Sequence, residues 1–426
     1  MSDRIVILGA GLSGVTTAYF LARAGARVTV VDRRLGPGLE TSLANGGHLS
    51  AGHARPWATP AAPGQLARWL GRKSAPLRLP LRWDPALLRW GLRYLGNCTP
   101  ARYHANTRTL LRLARYSADV TRALAAQSGI EFDYRPAGLL TVYRSAHSFD
   151  RGAAESAALV ASGDATEQPL SAAECARIEP ALGPAVAAGL LAGAVFTPDG
   201  ASGDAHRFTL ELEQRCASLG VEFRYGTVAH GIESRAGRVT GVATSTGTLA
   251  ATTVVVALAN GSVPVAATAG VRLPIYPVKG YSVSVTPQHA DQLPRIGILD
   301  EDRKVVMTPV SGWLRAAGTA EFAGDDETID LDRVRPILAA CRELLPTATP
   351  ATTPEDARPW TGLRPMTPDG PPILGPVRGL TGLFLNTGHG PLGWTLAAGS
   401  AAMLSDWIGG RPPAIAADGL TIERFQ

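Results

Sequence analysis

The chain opens with the stretch "RIVILGAGLSGVTTAYFLARAGARVTVVD", residues 4–32. From Ile5 to Ala22 it carries no charged side chain, and it is about as long as the shortest bilayer-spanning helices, roughly 17 residues. Three glycines and a Thr-Thr pair interrupt the run, which disfavours a membrane span. A secretory signal needs a basic start and a small-residue cleavage site, whereas Asp3 precedes the apolar run and Arg23 follows it. The remaining interpretation is a nucleotide-binding unit.

The glycine spacing supports that interpretation. Gly9, Gly11 and Gly14 follow the G-x-G-x-x-G/A pattern, directly after an aliphatic run at residues 5–8 that predicts a strand buried on both faces. In such a unit the first glycine makes a tight turn and the second lets a pyrophosphate approach the backbone. The third lets the following helix pack closely on the strand.

The rest of the stretch completes the unit. We predict a helix that runs to about Ala24 and is ended by Gly25. Residues 28–31 predict a second parallel strand, and Asp32 ends it, about 20 residues past the glycines. There a carboxylate can accept hydrogen bonds from ribose hydroxyls. The order of strand, glycines, helix, strand and acid predicts a dinucleotide site.

Composition limits the alternatives. At 426 residues, 45% of them hydrophobic, the chain is long enough for two or three structural units. Its cysteines, Cys98, Cys175, Cys216 and Cys341, are far apart and form no C-x-x-C pair. We therefore predict neither a metal site nor a disulfide framework, and we expect a reducing, cytoplasmic setting.

The positive charge of the chain has no obvious nucleic-acid partner. The formal charge of +5 comes mostly from arginine, and no run of basic residues resembles a nucleic-acid-binding tail. The densest basic and aromatic stretch is "RWLGRKSAPLRLPLRWDPALLRWGLRYLG", residues 68–96. It has two interpretations: a surface that sits on a membrane or, as we prefer, a helical substrate domain with solvated arginines.

The pattern along the chain predicts an α/β fold in which the nucleotide domain is interrupted. Residues 33–52 predict a long loop, and residues 60–161 are mostly helical with a strand at 138–143. A buried strand at 254–258 returns to the nucleotide domain, and short alternating runs between 273 and 356 predict an antiparallel sheet.

The last section, "GLFLNTGHGPLGWTLAAGSAAMLSDWI", predicts a strand, a glycine turn and a helix whose N-terminus can face an anionic or carbonyl-bearing ligand. We therefore predict a discontinuous Rossmann-type domain and a second, α+β domain with an antiparallel sheet and helices. The first is assigned residues 1–58, 195–272 and 357–426, and the second residues 59–194 and 273–356.

The glycine spacing does not separate FAD from NAD, but longer blocks do so by resemblance. The blocks are "VILGAGLSGVTTAYFLARAG", "ETSLANGGHLSAG", "YPVKGYS", "WTGLRPMTPDG" and "FLNTGHGPLGWT". Together they closely resemble the small FAD subunit of bacterial D-amino acid dehydrogenase, in the D-amino acid oxidase and glycine oxidase superfamily. The resemblance covers nearly the whole chain and implies an FAD-binding domain and a substrate-binding domain.

The resemblance implies a set of FAD contacts. The pyrophosphate and adenosine would be held by Gly9, Gly11, Leu12, Ser13, Gly14, Asp32, Arg33, Val228 and Ala259. Glu40, Thr41, Ser42, Asn45 and Gly46 would lie along the pyrophosphate and the isoalloxazine. The flavin ring would be closed over by Gly388, His389, Gly390, Leu392 and Gly393, with the dipole of the last helix near the ring edge that gains negative charge on reduction.

Arg364, in "TGLRP", matches the arginine that binds the substrate carboxylate in related oxidases. A planar guanidinium can hold a carboxylate through two parallel hydrogen bonds and so fix its orientation. The alternative is a structural ion pair with an acid such as Asp356 or Asp369.

Four further residues are candidates for the substrate region. His389 is expected at the flavin, and His53 and Tyr281 are candidates for the pocket wall. Arg303 stands where the family pattern, as aligned, has a tyrosine near the substrate; it is either a cation that favours acidic or polar side chains or a solvated arginine at a strand end.

The implied activity is oxidation of the Cα–N bond of a D-amino acid by hydride transfer to FAD, followed by hydrolysis of the imine to a 2-oxo acid and ammonia. The family implies a quinone or another carrier as electron acceptor, with possible contact at the inner face of the cell membrane. The alternative is an amine oxidase that uses O2 and makes H2O2, with a D-amino acid, a D-proline derivative, glycine or sarcosine as substrate. An FAD-fold interaction module and an NAD-dependent dehydrogenase are the more distant alternatives.

Overall fold

The computed structural model describes residues 4–69, 71, 75–79, 83–161, 163, 166–349 and 352–426. Residues 70, 72–74 and 80–82 of the basic and aromatic stretch lie outside the described part. The strands are β1 Arg4–Leu8, β2 Arg27–Val31, β3 His48–Leu49, β4 Leu77–Arg78, β5 Leu139–Tyr143, β6 Gln168–Ser171, β7 Gly193–Thr197, β8 Ala201–Ser202, β9 Glu222–Arg224, β10 Ala229–Arg235, β11 Arg238–Thr244, β12 Gly247–Ala250, β13 Thr253–Val256, β14 Tyr276–Val285, β15 Gly297–Asp300, β16 Val305–Val310, β17 Trp313–Glu321, β18 Trp360–Met366, β19 Ile373–Pro376 and β20 Leu383–Thr387. The helices are α1 Leu12–Arg23, α2 Ala62–Trp69, α3 Pro85–Asn97, α4 Pro100–Ser128, α5 Ala146–Ala161, α6 Ala172–Ile178, α7 Gly183–Ala187, α8 Ala205–Ser218, α9 Ser262–Ala267, α10 Leu331–Leu344 and α11 Gly393–Ile408.

The opening stretch forms the predicted strand, helix and strand. The alternate residues of β1 enter different cores: Ile5 and Ile7 pack toward α1, whereas Val6 and Leu8 pack against the other face of the sheet. This explains why the strand is apolar throughout. No helix in the described part of the chain is both long enough and apolar enough to span a bilayer.

The glycine turn after β1 is sterically constrained. Gly9 has a φ of +107°, and a Cβ atom there would overlap the carbonyl of Ala257 on the adjacent segment. A Cβ atom at Gly14 would overlap the carbonyl of Gly9. Both positions therefore need glycine, the first for its backbone conformation and the second for the close approach of α1 to the turn.

The first sheet draws on distant parts of the chain. Within the described residues it has the strand order β19-β20-β13-β1-β2-β9, in which β19 is antiparallel to β20 and the other neighbours are parallel. Its strands come from the beginning, the middle and the end of the sequence. α1 and α11 pack together on this sheet, and α4 packs against α11.

The second sheet is mixed, and one of its faces is covered by α10. Its described strands follow the order β18-β14-β17-β16-β15-β5-β7-β6, with β4 pairing to β17. The run of antiparallel strands expected between residues 273 and 356 is present in β14, β16 and β17. The other face of this sheet, together with the first sheet, encloses a cavity.

Two segments cross the predicted domain boundaries. β7 extends across the boundary at residue 195, and β18 lies in a segment assigned to the nucleotide domain, yet both strands pair within the second sheet. Hydrogen bonding to β5 and β14 therefore extends the second sheet into residues assigned to the nucleotide domain. The assignment of residues to the two domains stays a prediction.

Candidate functional site

A cavity of about 1140 Å³ lies between the two sheets. It begins at the carboxyl ends of the parallel strands, which is where ligands bind in open α/β sheets. From there it extends along the uncovered face of the second sheet, past β14, β17 and β18. Its volume exceeds the roughly 300–1,000 Å³ of ordinary ligand pockets, so it has room for a dinucleotide and a small substrate together.

One end of the cavity is built to receive an anion. Gly11 precedes α1 without a side-chain cap, and the neighbouring Leu12 N–H donates to Ser42 Oγ at 3.2 Å. Gly9, Gly11, Leu12 and Ser13 line the cavity at this helix terminus. Backbone N–H groups at the start of a helix bind phosphate well, because they lack partners within the helix and lie at its positive end.

Asp32 lies at the same end and holds the turn together. Its carboxylate accepts hydrogen bonds from Ala10 N at 2.6 Å and from Arg34 N at 2.7 Å. Burial raises the pKa of Asp32, and these two backbone donors oppose the increase. Asp32 also lines the cavity, as expected for an acid that contacts the ribose of a dinucleotide.

The predicted loop of residues 33–52 connects this end of the cavity to the second sheet. Ser282 Oγ on β14 donates to the carbonyl of Ala44 at 2.7 Å, and Thr308 Oγ1 on β16 donates to the carbonyl of Gly46 at 2.6 Å. The loop therefore runs along the floor of the cavity. Its length is explained by the need to cross from one sheet to the other.

Most residues predicted to hold the cofactor border this cavity. They are Gly9, Gly11, Leu12, Ser13, Asp32, Arg33, Glu40, Thr41, Ser42, Asn45, Gly46, Val228, Ala259, Gly388, His389, Gly390 and Gly393. Two predicted residues are not in the cavity wall: Gly14, which packs α1 on the glycine turn, and Leu392, which packs in an apolar cluster with α4. These two residues influence the shape of the site through packing but do not line it.

The segment between β20 and α11 closes the other side of the cavity. Gly388 and Gly390 both have positive φ angles, of 76° and 53°, and α11 begins at Gly393 without a side-chain cap. Between the glycines, His389 is buried with Nε2 at 3.2 Å from Ser400 Oγ. Burial lowers the pKa of His389 to about 4, so its imidazole is neutral at physiological pH.

Arg364 is a half-buried cation in the wall of the cavity, and its Nη1 atom is buried. Its Nη1 has no hydrogen-bond partner among the described residues, and its guanidinium lies 6.0 Å from the ring of Trp57. Burial lowers the pKa of Arg364 to about 10, which still leaves it charged at neutral pH. A cation that is partly removed from water without a partner is costly, and a carboxylate ligand would offset that cost.

The alternative role for Arg364, an internal ion pair, is not what the structure contains. Asp369 accepts from Arg424 at 2.7 Å, and Asp356 accepts from Thr353 at 2.7 Å. No described acidic side chain lies within ion-pair distance of Arg364.

His48 in the loop and His53 directly after it also face the cavity. His53 is half-buried, with Nδ1 at 2.7 Å from Ser50 Oγ and Nε2 at 2.9 Å from Thr141 Oγ1. His48 is half-buried and has no partner for Nε2 in the described part of the protein, and desolvation of its ring lowers its pKa to about 3. Burial lowers the pKa of His53 as well. These rings form a neutral wall of the cavity.

Two residues predicted to contact the substrate direct their side chains elsewhere, although Tyr281 is among the residues that border the cavity. The Tyr281 hydroxyl donates to Glu321 at 3.0 Å, and its ring packs in the core beneath α10. Because side chains alternate along a strand, it points to the face of β14 opposite to that of Gly280. Arg303 does not line the cavity, because its guanidinium pairs with Glu343 at 2.7 Å. Its neighbour Lys304 borders the cavity instead.

Sequence reasoning missed three residues that shape the site. Trp57 borders the cavity beside Arg364, and Gly280 provides the space that the Arg364 guanidinium occupies. Glu167 lines the cavity with its side chain only 3% exposed; its Oε1 lies 3.9 Å from Arg55 Nη2 and has no hydrogen-bond partner among the described residues. Gly280 stands in the "YPVKGYS" block, so the family resemblance could have indicated it. No sequence pattern indicates Trp57 or Glu167.

Comparison with known proteins is consistent with this geometry. A family model described as FAD dependent oxidoreductase matches residues 4–407. The chain is 46% identical over 423 residues to D-amino acid dehydrogenase of Paramagnetospirillum magneticum, covering 99% of both chains. It is 45% identical over 422 residues to D-amino acid dehydrogenase of Cereibacter sphaeroides, covering 99% of this chain and 95% of that relative.

Solved structures share the fold. Glycine oxidase from Geobacillus kaustophilus superposes with a TM-score of 0.74 at 23% identity, covering 99% of both chains. L-proline dehydrogenase from P. horikoshii superposes with a TM-score of 0.73 at 17% identity, covering 100% of this chain and 98% of that one. At these identities the likeness concerns the fold alone.

Proposed function

This chain belongs to the family of FAD-dependent oxidoreductases, and from that premise we propose that it oxidises D-amino acids to 2-oxo acids and ammonia. The observation that carries the substrate class is Arg364, a half-buried cation that has no counter-ion among the described residues and lies in the wall of a cavity sized for a cofactor and a substrate. The D-configuration is proposed from the relatives named D-amino acid dehydrogenase.

The residues present fit FAD. The uncapped start of α1, with Gly11 and Ser13, would bind the pyrophosphate, and Asp32 would accept from the ribose. The uncapped start of α11 at Gly393 would face the edge of the ring that gains negative charge. When bound, FAD supplies a two-electron acceptor for hydride.

The chain itself supplies orientation. Arg364 would hold the substrate carboxylate through two parallel hydrogen bonds, which fixes the direction of the Cα–H bond. The neutral side chains of His48, His53 and His389 line the cavity, so these residues offer hydrogen bonds without adding positive charge. Loss of hydride from Cα of the neutral amine leaves an iminium ion, which loses a proton from nitrogen, and water then hydrolyses the imine.

We further propose that a quinone or another carrier accepts the electrons, and that the protein contacts the inner face of the cell membrane peripherally. The sequence contains no haem or Fe–S motif of the common kinds, so the electrons leave through an external acceptor. The names of the curated relatives, which are dehydrogenases, support an acceptor other than oxygen.

Anaerobic bleaching of the flavin absorbance tests this function. The purified protein is mixed with D- and L-amino acids, D-proline derivatives, sarcosine and glycine, and air is then admitted. Bleaching by D-amino acids alone, with slow recovery in air and fast recovery with a quinone or dye, is the expected result. Bleaching by L-amino acids, sarcosine or glycine instead would refute the D-specific assignment, and rapid recovery in air alone would identify an oxidase.

A further inference from the structure

Helix α3 has an apolar face that the core does not use. Trp90 and Tyr94 are buried and face the interior, whereas Leu88, Leu92 and Leu95 are 52%, 72% and 48% exposed. The three leucines are spaced at i, i+4 and i+7, so they form one stripe along the solvent side of the helix. Packing in the core explains why Trp90 and Tyr94 are apolar, but it gives the leucine stripe no partner among the residues that the structure describes.

An exposed tryptophan extends the stripe. Trp83 is 84% exposed and stands directly before α3, whose first turn is capped by Asp84 through the N–H groups of residues 86 and 87. Tryptophan is favoured where one side of a surface is apolar and the other wet, as at the boundary of a bilayer. We call Trp83, Leu88, Leu92 and Leu95 the α3 face.

The segment of sequence that carries the α3 face is strongly basic. Arg89 and Arg93 are exposed on the flank of the leucine stripe. In the sequence, residues 41–118 contain 12 Lys and Arg side chains and a single acid, Asp84. Since the whole chain has 41 basic and 36 acidic side chains, the remainder has 29 basic and 35 acidic ones. The excess positive charge of the protein is thus confined to the part of the chain that carries this face.

The opposite side of α3 forms a wall of the cavity. Tyr94 borders the cavity and donates its hydroxyl to the carbonyl of Trp57 at 2.8 Å, and Trp57 lies beside Arg364. Trp90 Nε1 donates to the carbonyl of Met366 at 2.8 Å, which fixes the helix to β18. One helix thickness therefore separates the leucine stripe from the cavity.

An apolar branch of the cavity runs along α2 on the same side of the protein. Leu66 and Trp69 of α2 line it together with Trp57 and Leu77, and both α2 residues are half-buried and so remain partly accessible to solvent. Leu66, Leu77 and Trp57 pack in the cluster that contains Trp90 and Tyr94. This branch offers an apolar route from the surface near α3 to the interior.

We propose that the α3 face rests in the headgroup region of an anionic lipid leaflet and that a quinone enters the cavity from the bilayer along α2. This inference rests on the proposed function, because it assigns the route of the acceptor. The leucines and Trp83 would insert at the boundary between the headgroups and the acyl chains, and Arg89 and Arg93 would contact lipid phosphates. The quinone would take two electrons and two protons from the reduced cofactor and so become the quinol.

Vesicle sedimentation tests the surface. The FAD-loaded full-length protein is spun with phosphatidylcholine vesicles that do or do not contain phosphatidylglycerol. We expect binding to the phosphatidylglycerol vesicles that weakens with added salt. The triple variant Leu88→Gln/Leu92→Gln/Leu95→Gln and the double variant Arg89→Gln/Arg93→Gln should each reduce vesicle partitioning about tenfold or more. The matched control is Leu210→Gln/Leu219→Gln, which changes two exposed leucines outside this face.

Activity separates this inference from the proposed function. Each variant should still be bleached by D-alanine and should keep its rate with a water-soluble dye, whereas the triple variant should lose its rate with ubiquinone embedded in phosphatidylglycerol vesicles. If the unchanged protein is bleached by D-alanine but does not sediment with these vesicles, the membrane surface is refuted and the function stands. A triple variant that sediments like the unchanged protein also refutes it. If the unchanged protein is a dimer and the triple variant a monomer, a second copy covers the face and the lipid proposal is wrong.

Discussion

The guanidinium of Arg364 occupies the space that a Cβ atom would fill at Gly280 on the neighbouring strand. The two strands are antiparallel, and Arg364 is paired with Val278, two residues before Gly280. The arginine side chain therefore reaches across β14 toward the cavity. Gly280 does not have a positive φ angle, so the glycine is needed for space and not for backbone conformation.

Gly280→Ala is therefore expected to displace the Arg364 guanidinium. A misplacement of about 1 Å at an orienting group can cost about 10²-fold, so we expect the KM for D-alanine to rise about tenfold to a hundredfold. Steady-state kinetics with a dye acceptor measures it. Gly183→Ala is the matched control, because a Cβ atom there meets nothing within 4 Å. An unchanged KM in Gly280→Ala would show that the guanidinium does not need its present position.

Replacement of Arg364 tests the carboxylate anchor itself. Arg364→Lys keeps the charge but loses the second parallel hydrogen bond, which is worth about 1.5–3 kcal/mol for a charged pair. We expect kcat/KM for D-alanine to fall about tenfold to a hundredfold in Arg364→Lys, and further in Arg364→Met. The flavin absorbance of both variants and their reduction by dithionite should be unchanged, which separates loss of substrate binding from loss of FAD. Normal kcat/KM in Arg364→Met would contradict the assignment.

The sequence was most informative where local geometry restricts residue type. Gly9 and Gly14 stand at positions where a Cβ atom would overlap backbone carbonyls, so the spacing of these residues could predict the turn and the close packing of α1. The strand, helix and strand of the opening stretch and the final strand and helix could be placed for the same reason. The family blocks could then indicate most of the cavity wall.

The direction of individual side chains could not be predicted from the sequence. Tyr281 stands next to Gly280 in the same block, but the two residues face opposite sides of β14, and a shift of one residue in a strand reverses the face. Arg303 pairs with Glu343, which is distant in sequence and belongs to α10. Glu167 enters the cavity from the segment before β6, where nothing in the local pattern indicates a ligand.

Tyr281→Phe tests the placement of this residue in the core. The substitution removes the hydrogen bond to Glu321, a buried carboxylate, so we expect the free energy of unfolding to fall by about 1–2 kcal/mol. Because the ring points away from the cavity face, kcat/KM for D-alanine should stay within about threefold of the unchanged protein. Urea unfolding and steady-state kinetics measure the two effects. A large rise in KM with normal stability would place the hydroxyl at the substrate after all.

Asp32→Asn is expected to weaken FAD binding. The aspartate uses its two oxygens for Ala10 N and Arg34 N, and an asparagine has only one oxygen to offer, so the glycine turn loses one of these bonds. One such hydrogen bond corresponds to about a tenfold loss of affinity. Titration of the FAD-free protein with FAD, followed by flavin fluorescence, measures the Kd. Glu222→Gln, on the neighbouring strand β9, should bind FAD normally; an equal loss there would show a general effect of charge removal.

The buried histidine His389 predicts a stability loss on the acid side of neutrality. Its pKa is lowered by burial to about 4, whereas an unfolded histidine titrates at about 6.5. Between these values the unfolded state binds the extra proton, so stability falls as the pH decreases through this window. At about pH 5 the loss amounts to about 2 kcal/mol for this one group. His389→Gln removes the titrating group. Between about pH 7 and about pH 5, the free energy of unfolding of this variant should therefore fall by about 2 kcal/mol less than that of the unchanged protein. Urea unfolding with saturating FAD measures both values. The control His230→Gln changes an exposed histidine and should keep the pH dependence of the unchanged protein. If His389→Gln and the unchanged protein lose stability in parallel, His389 is not the neutral buried group that closes the cavity.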